Sequence, residues 1–173
     1  MREPNHQSIE IASREVGTHE EGGNNRGPRI VEFQSATWLK PGPWPWCAAF
    51  ICHILREWSR SPEARAALSL RNDREAEKWR PQTAGAFDFE RWAREKGHKV
   101  LKKSTLAKAG DLVVFDFSHI GIVVKDQLSP ETIDTIEGNT NGAGRRDSQS
   151  GDGVWRKRRL ASTVRSYIRL IAA

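Results

Sequence analysis

Only two of the 173 residues are cysteine, and no apolar run approaches the roughly 20 residues that a membrane-crossing helix needs. Cys47 and Cys52 stand five positions apart in a segment that reads as helix. Five residues turn a helix by about 500°, so the two side chains diverge and a disulfide between them is geometrically poor. Two free thiols, one functional and one buried, in a reducing compartment are expected instead. The stretch from Met1 to Glu15 carries Arg2, Glu3, Glu10, Arg14 and Glu15 and has no apolar centre, which excludes a Sec signal peptide. The expectation is synthesis in a cytosol, with delivery by other means if the target lies outside. Internal repeats, low-complexity segments and long Pro/Gly/Ser linkers are also missing, so residues 1–173 are expected to form one domain.

Hydrophobic residues make up 37% and charged residues 29%, the balance of a folded soluble chain rather than a disordered or membrane one. At this length one core is possible without metal or disulfide staples. Lys plus Arg exceed Asp plus Glu by 28 to 22, a net charge of +6 that favours polyanionic partners: nucleic acid, anionic lipid or anionic wall polymer. Seven tryptophans suit a binding groove as well as a core.

The first half reads as helices. Residues 4–16 show amphipathic spacing, 17–28 are a Gly/Asn-rich loop, and 28–37 form a short helix opened by Pro28. The segment 38–46 (WLKPGPWPW) holds three prolines and cannot be regular helix. A mostly apolar helix follows from Cys47 to about Ser59. Residues 62–80 are helical in composition but strongly charged, so they are expected outside, and 83–96 read as another amphipathic helix closed by Gly97. The second half reads as strands: 111–117, 119–125, 132–137 and 153–159. Helices followed by short antiparallel strands give an α+β architecture.

The chemistry follows from that layout. A thiol is mostly protonated near neutral pH, the thiolate is the nucleophile, and a helix start or a nearby imidazolium favours it. Cys47 sits where the proline-rich approach hands over to helix, and Trp44 and Trp46 beside it can wall the site. The base must come from elsewhere in the fold. His119 opens a strand, with room beside its ring at Gly121. Glu137 lies late in the next strand, and in an antiparallel meander it can reach His119 and orient the imidazole, with Asn139 assisting. Taken singly each has a bland reading: inert core for Cys47, a structural role for His119, a turn cap for Glu137. Their order along a helix-then-sheet chain favours the joint reading.

Four segments carry a resemblance: P-W-C-A-A-F at 45–50, A-G-D-L-V-V-F at 109–115, H-I-G-I-V at 119–123 and I-E-G-N-T at 136–140. Together they resemble the CHAP family (cysteine, histidine-dependent amidohydrolases/peptidases), relatives of NlpC-type cell-wall hydrolases within the papain-like group. E-V-G-T-H-E at 15–20 also looks like phage and prophage endolysin members, extending the likeness to roughly residues 8–170. The resemblance implies a papain-like α+β fold, with N-terminal helices packed on a small antiparallel sheet. It makes Cys47 the nucleophile, His119 the base, Glu137 the orienting acid and Asn139 its support. It also implies cleavage of peptidoglycan, either at the muramic acid–L-alanine bond or within the stem peptide or cross-bridge, by acyl transfer through a Cys47 thioester. Trp44, Trp46 and Asn141 are expected at the substrate, and Asn139, Asn141, Gly142 and Gly144 are expected to form a flexible loop beside the site. Some relatives carry an acidic calcium loop before the nucleophile. Here residues 38–46 contain no Asp or Glu, so neither metal nor cofactor is expected.

His19-Glu20-Glu21 lacks a second histidine at helical spacing, which argues against a metal site. His6, His53 and His98 read as surface or packing residues, and Cys52 as core. The basic run Arg156, Lys157, Arg158, Arg159, with Arg165 and Arg169, reads as a solvated strand face, as a nucleic-acid patch, or as a contact for wall polymer or lipopolysaccharide phosphate. The expected partner is peptidoglycan, met by a monomer after holin-type release or injection into a rival cell. In the second case an immunity protein would exist. The competing classes are a non-catalytic wall-binding module of the same fold and a basic nucleic-acid-binding domain.

Overall fold

A computed structural model describes residues 4–142 and 151–171. Six helices come first: α1 (Pro4–Arg14), α2 (Pro28–Gln34), α3 (Cys47–Trp58), α4 (Pro62–Ala67), α5 (Asp73–Trp79) and α6 (Asp88–Glu95). Six strands follow: β1 (Lys99–Lys102), β2 (Leu112–Phe115), β3 (His119–Val123), β4 (Thr132–Thr140), β5 (Gly153–Leu160) and β6 (Val164–Arg169). The strands make one antiparallel sheet in the order β1-β6-β2-β3-β4-β5. The architecture is α+β, with the helices packed on an antiparallel sheet, as the sequence implied. Among the described residues no helix is long and apolar enough to cross a membrane.

α3 is the central helix. Ten of its twelve residues are buried, as an apolar sequence without a polar stripe requires. It packs against α1 and α2 on one side and against β3 and β4 on the other. Alternation along the strands divides the apolar residues into two clusters. Leu112, Val114, Ile120, Ile122, Ile136 and Ile168 join the helices in the main core. Val113, Phe115, Val123, Ile133, Val164 and Tyr167 form a second cluster. Arg159 on β5 reaches across β4 and β3 to lie over the rings of Phe115 and Phe117.

The structure corrects several boundaries. The charged segment 62–80 is two short helices, each with its own cap: Ser61 Oγ accepts from the Ala64 N–H and Asn72 Oδ1 from the Glu75 N–H. It does not lie wholly outside, because Trp79 is buried between Trp58 and Trp92. The helix expected from residue 83 begins at Asp88. Before it, a turn is fastened by Thr83, whose hydroxyl accepts from the Gly85 N–H and donates to Asp88. Two strands, β1 and β6, escaped the sequence reading, and their polar alternation (KVLK, VRSYIR) explains why. β4 runs on to Thr140, with an irregularity between Glu137 and Thr140, so Asn139 belongs to a strand rather than to a flexible loop. Gly144 lies outside the described residues.

Candidate active site

The approach to Cys47 is held from α2. Gln34 is buried there, and its amide donates to the carbonyls of Gly42 (2.7 Å) and Trp44 (3.1 Å) while accepting from the Gly42 N–H. The proline-rich stretch cannot make helical hydrogen bonds, so this single side chain supplies partners in their place. The indole of Trp46 is fully enclosed and donates to Glu20 at 2.9 Å. These two fastenings fix where α3 begins. No side chain caps α3, so the first backbone N–H groups, starting at Cys47, are left without intrahelical acceptors.

On the sheet, β2 and β3 form a tight hairpin in which Phe115 pairs with His119. The three connecting residues end at Ser118 with φ 58, the left-handed position that such loops need. The imidazole is thereby set against two rings: it stacks on Phe117 (5.6 Å between centroids, 12° between planes) and leans on Phe115. Its Nε2 meets Oε2 of Glu137 at 2.8 Å, with both side chains fully buried. Glu137 stands opposite Gly121 in the register that pairs Ile122 with Ile136, and reaches back over that glycine to the histidine two residues earlier. Thr135 donates to the other carboxylate oxygen at 2.6 Å.

The electrostatics join helix to sheet. Burial alone would lower the His119 pKa. The Cys47 thiol, through its charge and a hydrogen-bonding contact, together with Glu137, outweighs burial and raises it to about 9. Nδ1 of His119 is buried and has no hydrogen-bond partner among the described residues. Burial likewise works against the Glu137 carboxylate, yet hydrogen bonds from His119 and Arg159 hold its pKa down to about 2. Cys47 on α3 thus acts on the same buried imidazole that Glu137 holds from β4.

The remaining expected site residues are placed less uniformly. Asn139 is buried with φ 54, its Nδ2 has no partner among the described residues, and it makes no bond to His119. Trp46 offers no surface and packs in the core against Phe33, so it does not contact a ligand in this conformation. Trp44 is half-buried, its indole donating to the carbonyl of Lys40. Trp38, which the sequence reading did not single out, is 72% exposed on the same approach. Asn141 follows β4, and its carbonyl accepts from the Lys157 ammonium at 2.6 Å. A hollow of about 370 Å³ opens beside this approach, lined by Glu21, Asn25, Arg26, Gln34, Pro41 and Pro43 among others.

Cys52 is core: its thiol donates to the Thr83 carbonyl, and burial pushes its pKa up to about 12. His53 is buried against Phe33 and held down to about 4 by desolvation and by Arg56. The basic run is not one solvated face. Period-two alternation on β5 exposes Arg156 and Arg158 and turns Lys157 and Arg159 inward. Arg159 is the site residue that the sequence reading missed; the strand period was the signal that could have found it.

A family model described as CHAP domain matches residues 39–139, from the approach to α3 through most of β4. That stretch contains Cys47, His119, Glu137 and Asn139, and stops short of β5. None of the curated proteins matches the chain.

Proposed function

The chain belongs to the CHAP domain family, and from that membership we propose that it is a peptidoglycan hydrolase, a cysteine-dependent amidase or endopeptidase with Cys47 as nucleophile. The observation that carries the proposal is the convergence of Cys47, His119 and Glu137, with the ring fixed between two phenylalanines and a buried carboxylate. In the proposed reaction the Cys47 thiolate attacks the amide carbonyl, and the tetrahedral oxyanion is met by backbone N–H groups at the start of α3. His119 gives its proton to the leaving amine. It then takes one from the water that hydrolyses the thioester, which frees the carboxylate product and restores the thiol. Glu137 keeps the ring oriented and its charge stabilised through both steps.

Cys47 is nearly covered and His119 wholly so, which supports approach of the scissile bond from the thiol's side. The hollow at Glu21 and Arg26, and the exposed ring of Trp38, offer polar and aromatic contacts for a peptide-bearing glycan beside that approach.

The test is digestion of purified peptidoglycan followed by mass spectrometry of the released muropeptides. The expected result is new amines, on L-alanine for an amidase or within the stem or cross-bridge for an endopeptidase, absent with Cys47→Ala. Intact muropeptides after incubation with folded wild-type protein would refute the hydrolase reading. Unaltered adsorption to walls by Cys47→Ala, without cleavage by either form, would favour a binding module.

A further inference from the structure

Arg159, near the end of β5, has a guanidinium with no solvent-exposed surface. Its Nε donates to Oε1 and Oε2 of Glu137 at 3.0 and 3.2 Å, and a terminal NH2 donates to Oε2 and to Oγ1 of Thr140. The rings of Phe115 and Phe117 lie 5.4 and 5.5 Å from the guanidinium carbon, and the same two rings pack against His119. Among the described residues, the charged or titratable groups facing this cluster include Cys47 on α3, His119 on β3, Glu137 on β4, Arg159 itself on β5 and Tyr167 on β6, which packs with Phe115.

A carboxylate tied to an imidazole through one oxygen alone is free to turn about its Cγ–Cδ bond. A planar fork gripping both oxygens, with the Thr135 hydroxyl on one of them, removes that freedom. We propose that Arg159 is a positioning residue for the reaction at Cys47: it clamps Glu137 so that Oε2 always faces Nε2 of His119. Arg159 acts through Glu137, whose carboxylate it holds by both oxygens. It lies beyond the residues that match the family model. Its effect on turnover rests on the hydrolase reading above, whereas its effect on the thiol–imidazole pair does not.

The experiment compares wild type with Arg159→Lys and Arg159→Met by two measurements, each normalised to folded protein by near-UV circular dichroism. The first is kcat and KM on soluble peptidoglycan fragments across pH. The second is the pH dependence of Cys47 alkylation by iodoacetamide, which needs no substrate. Lysine keeps the charge but loses the fork. Both variants are expected to lower kcat by about 10- to 100-fold with KM within about twofold, as for a residue acting through an orienting partner. In Arg159→Lys, which keeps the charge, a less well-held Glu137 supports the imidazolium less, so the alkaline limb of the rate profile and the His119-linked step of the alkylation profile should move down by about one pH unit. A purely structural Arg159 would reduce the yield of folded protein and move neither limb. Where Arg159→Met does not fold, Arg159→Lys decides alone. Wild-type kcat and an unshifted alkylation profile in a folded variant would overturn the proposal. Wild-type protein that releases no fragments would sink the hydrolase reading instead, and the alkylation profiles would still judge Arg159.

Discussion

The carboxylate of Glu137 reaches His119 by passing over Gly121, so closely that a methyl group at position 121 would lie 2.7 Å from Cγ of Glu137 and 3.1 Å from the Ile136 carbonyl. The backbone oxygen cannot move without breaking the β3–β4 pairing, so the side chain of Glu137 must yield. Gly121→Ala is therefore expected to displace the carboxylate, cost about 1–3 kcal/mol of stability as overpacking does, and lower wall hydrolysis by about tenfold or more. Thermal unfolding and turbidity loss of purified walls measure the two effects. A folded variant with wild-type activity would show that Glu137 does not orient His119.

Gly138 makes the equivalent contact for the helix. A methyl group there would lie 2.7 Å from Cβ and Cγ of Phe50 and 2.8 Å from the Trp46 ring. Gly138→Ala should push the start of α3 off the sheet, destabilising by about 1–3 kcal/mol and separating thiol from imidazole. Urea unfolding gives the first quantity. A slower alkylation of Cys47 near neutral pH reports the second, and an unchanged rate would count against close packing as the device that sets the pair.

The two cysteines should differ sharply toward electrophiles. Cys52 has no exposed surface, donates to the Thr83 carbonyl and is pushed up to about 12 by burial. Native protein treated with iodoacetamide at pH 7 should carry one adduct, on Cys47, by peptide mapping. Cys52→Ala should keep wall hydrolysis at its original level, while Cys47→Ala abolishes it. Labelling of Cys52 at a comparable rate in folded protein would contradict the arrangement described.

Stability should peak near pH 6.5. His119 has a folded-state pKa of about 9 against an ordinary 6.5, so its stabilisation is complete below 6.5 and lost as pH rises from there toward 9. His53, buried neutral, is shifted the other way to about 4, so stability falls as pH drops from 6.5 toward 4. Glu137, shifted from 4.5 to about 2, stabilises above 4.5, and that contribution is lost between 4.5 and 2. Urea midpoints measured from pH 2 to 9 should trace this curve. His53→Gln should flatten its middle acidic part and Glu137→Gln its lowest part. A midpoint still rising between pH 6.5 and 9 would exclude the buried imidazolium.

Much of this was legible in residue order, for identifiable reasons. Three prolines before Cys47 force an irregular approach, and the unbroken apolar run after it forces a buried helix, so the thiol had to sit at a helix start. The run from Asp111 to Lys125, broken at residues 116–118, read as two strands, which put His119 at the beginning of one. The strand expected to end at Glu137 runs on, because an irregularity lets β4 continue through Asn139 to Thr140.

What tertiary structure alone decided is how the strands close around the site. Period-two alternation in R-K-R-R implies that two of four cations face inward, but nothing in sequence says what awaits them there. Only the packed sheet brings Arg159 to Glu137 on the neighbouring strand and stretches it toward Phe115 and Phe117 on the far side of β3. The same holds for Trp46, whose aromatic surface suggests a binding wall in sequence, while the packing of α3 on β4 and the partner at Glu20 make it core. Local propensity and periodicity act over a few residues and set the elements. Which buried polar groups find one another depends on contacts between residues far apart in the chain, and those are fixed only when the whole sheet and its helices pack.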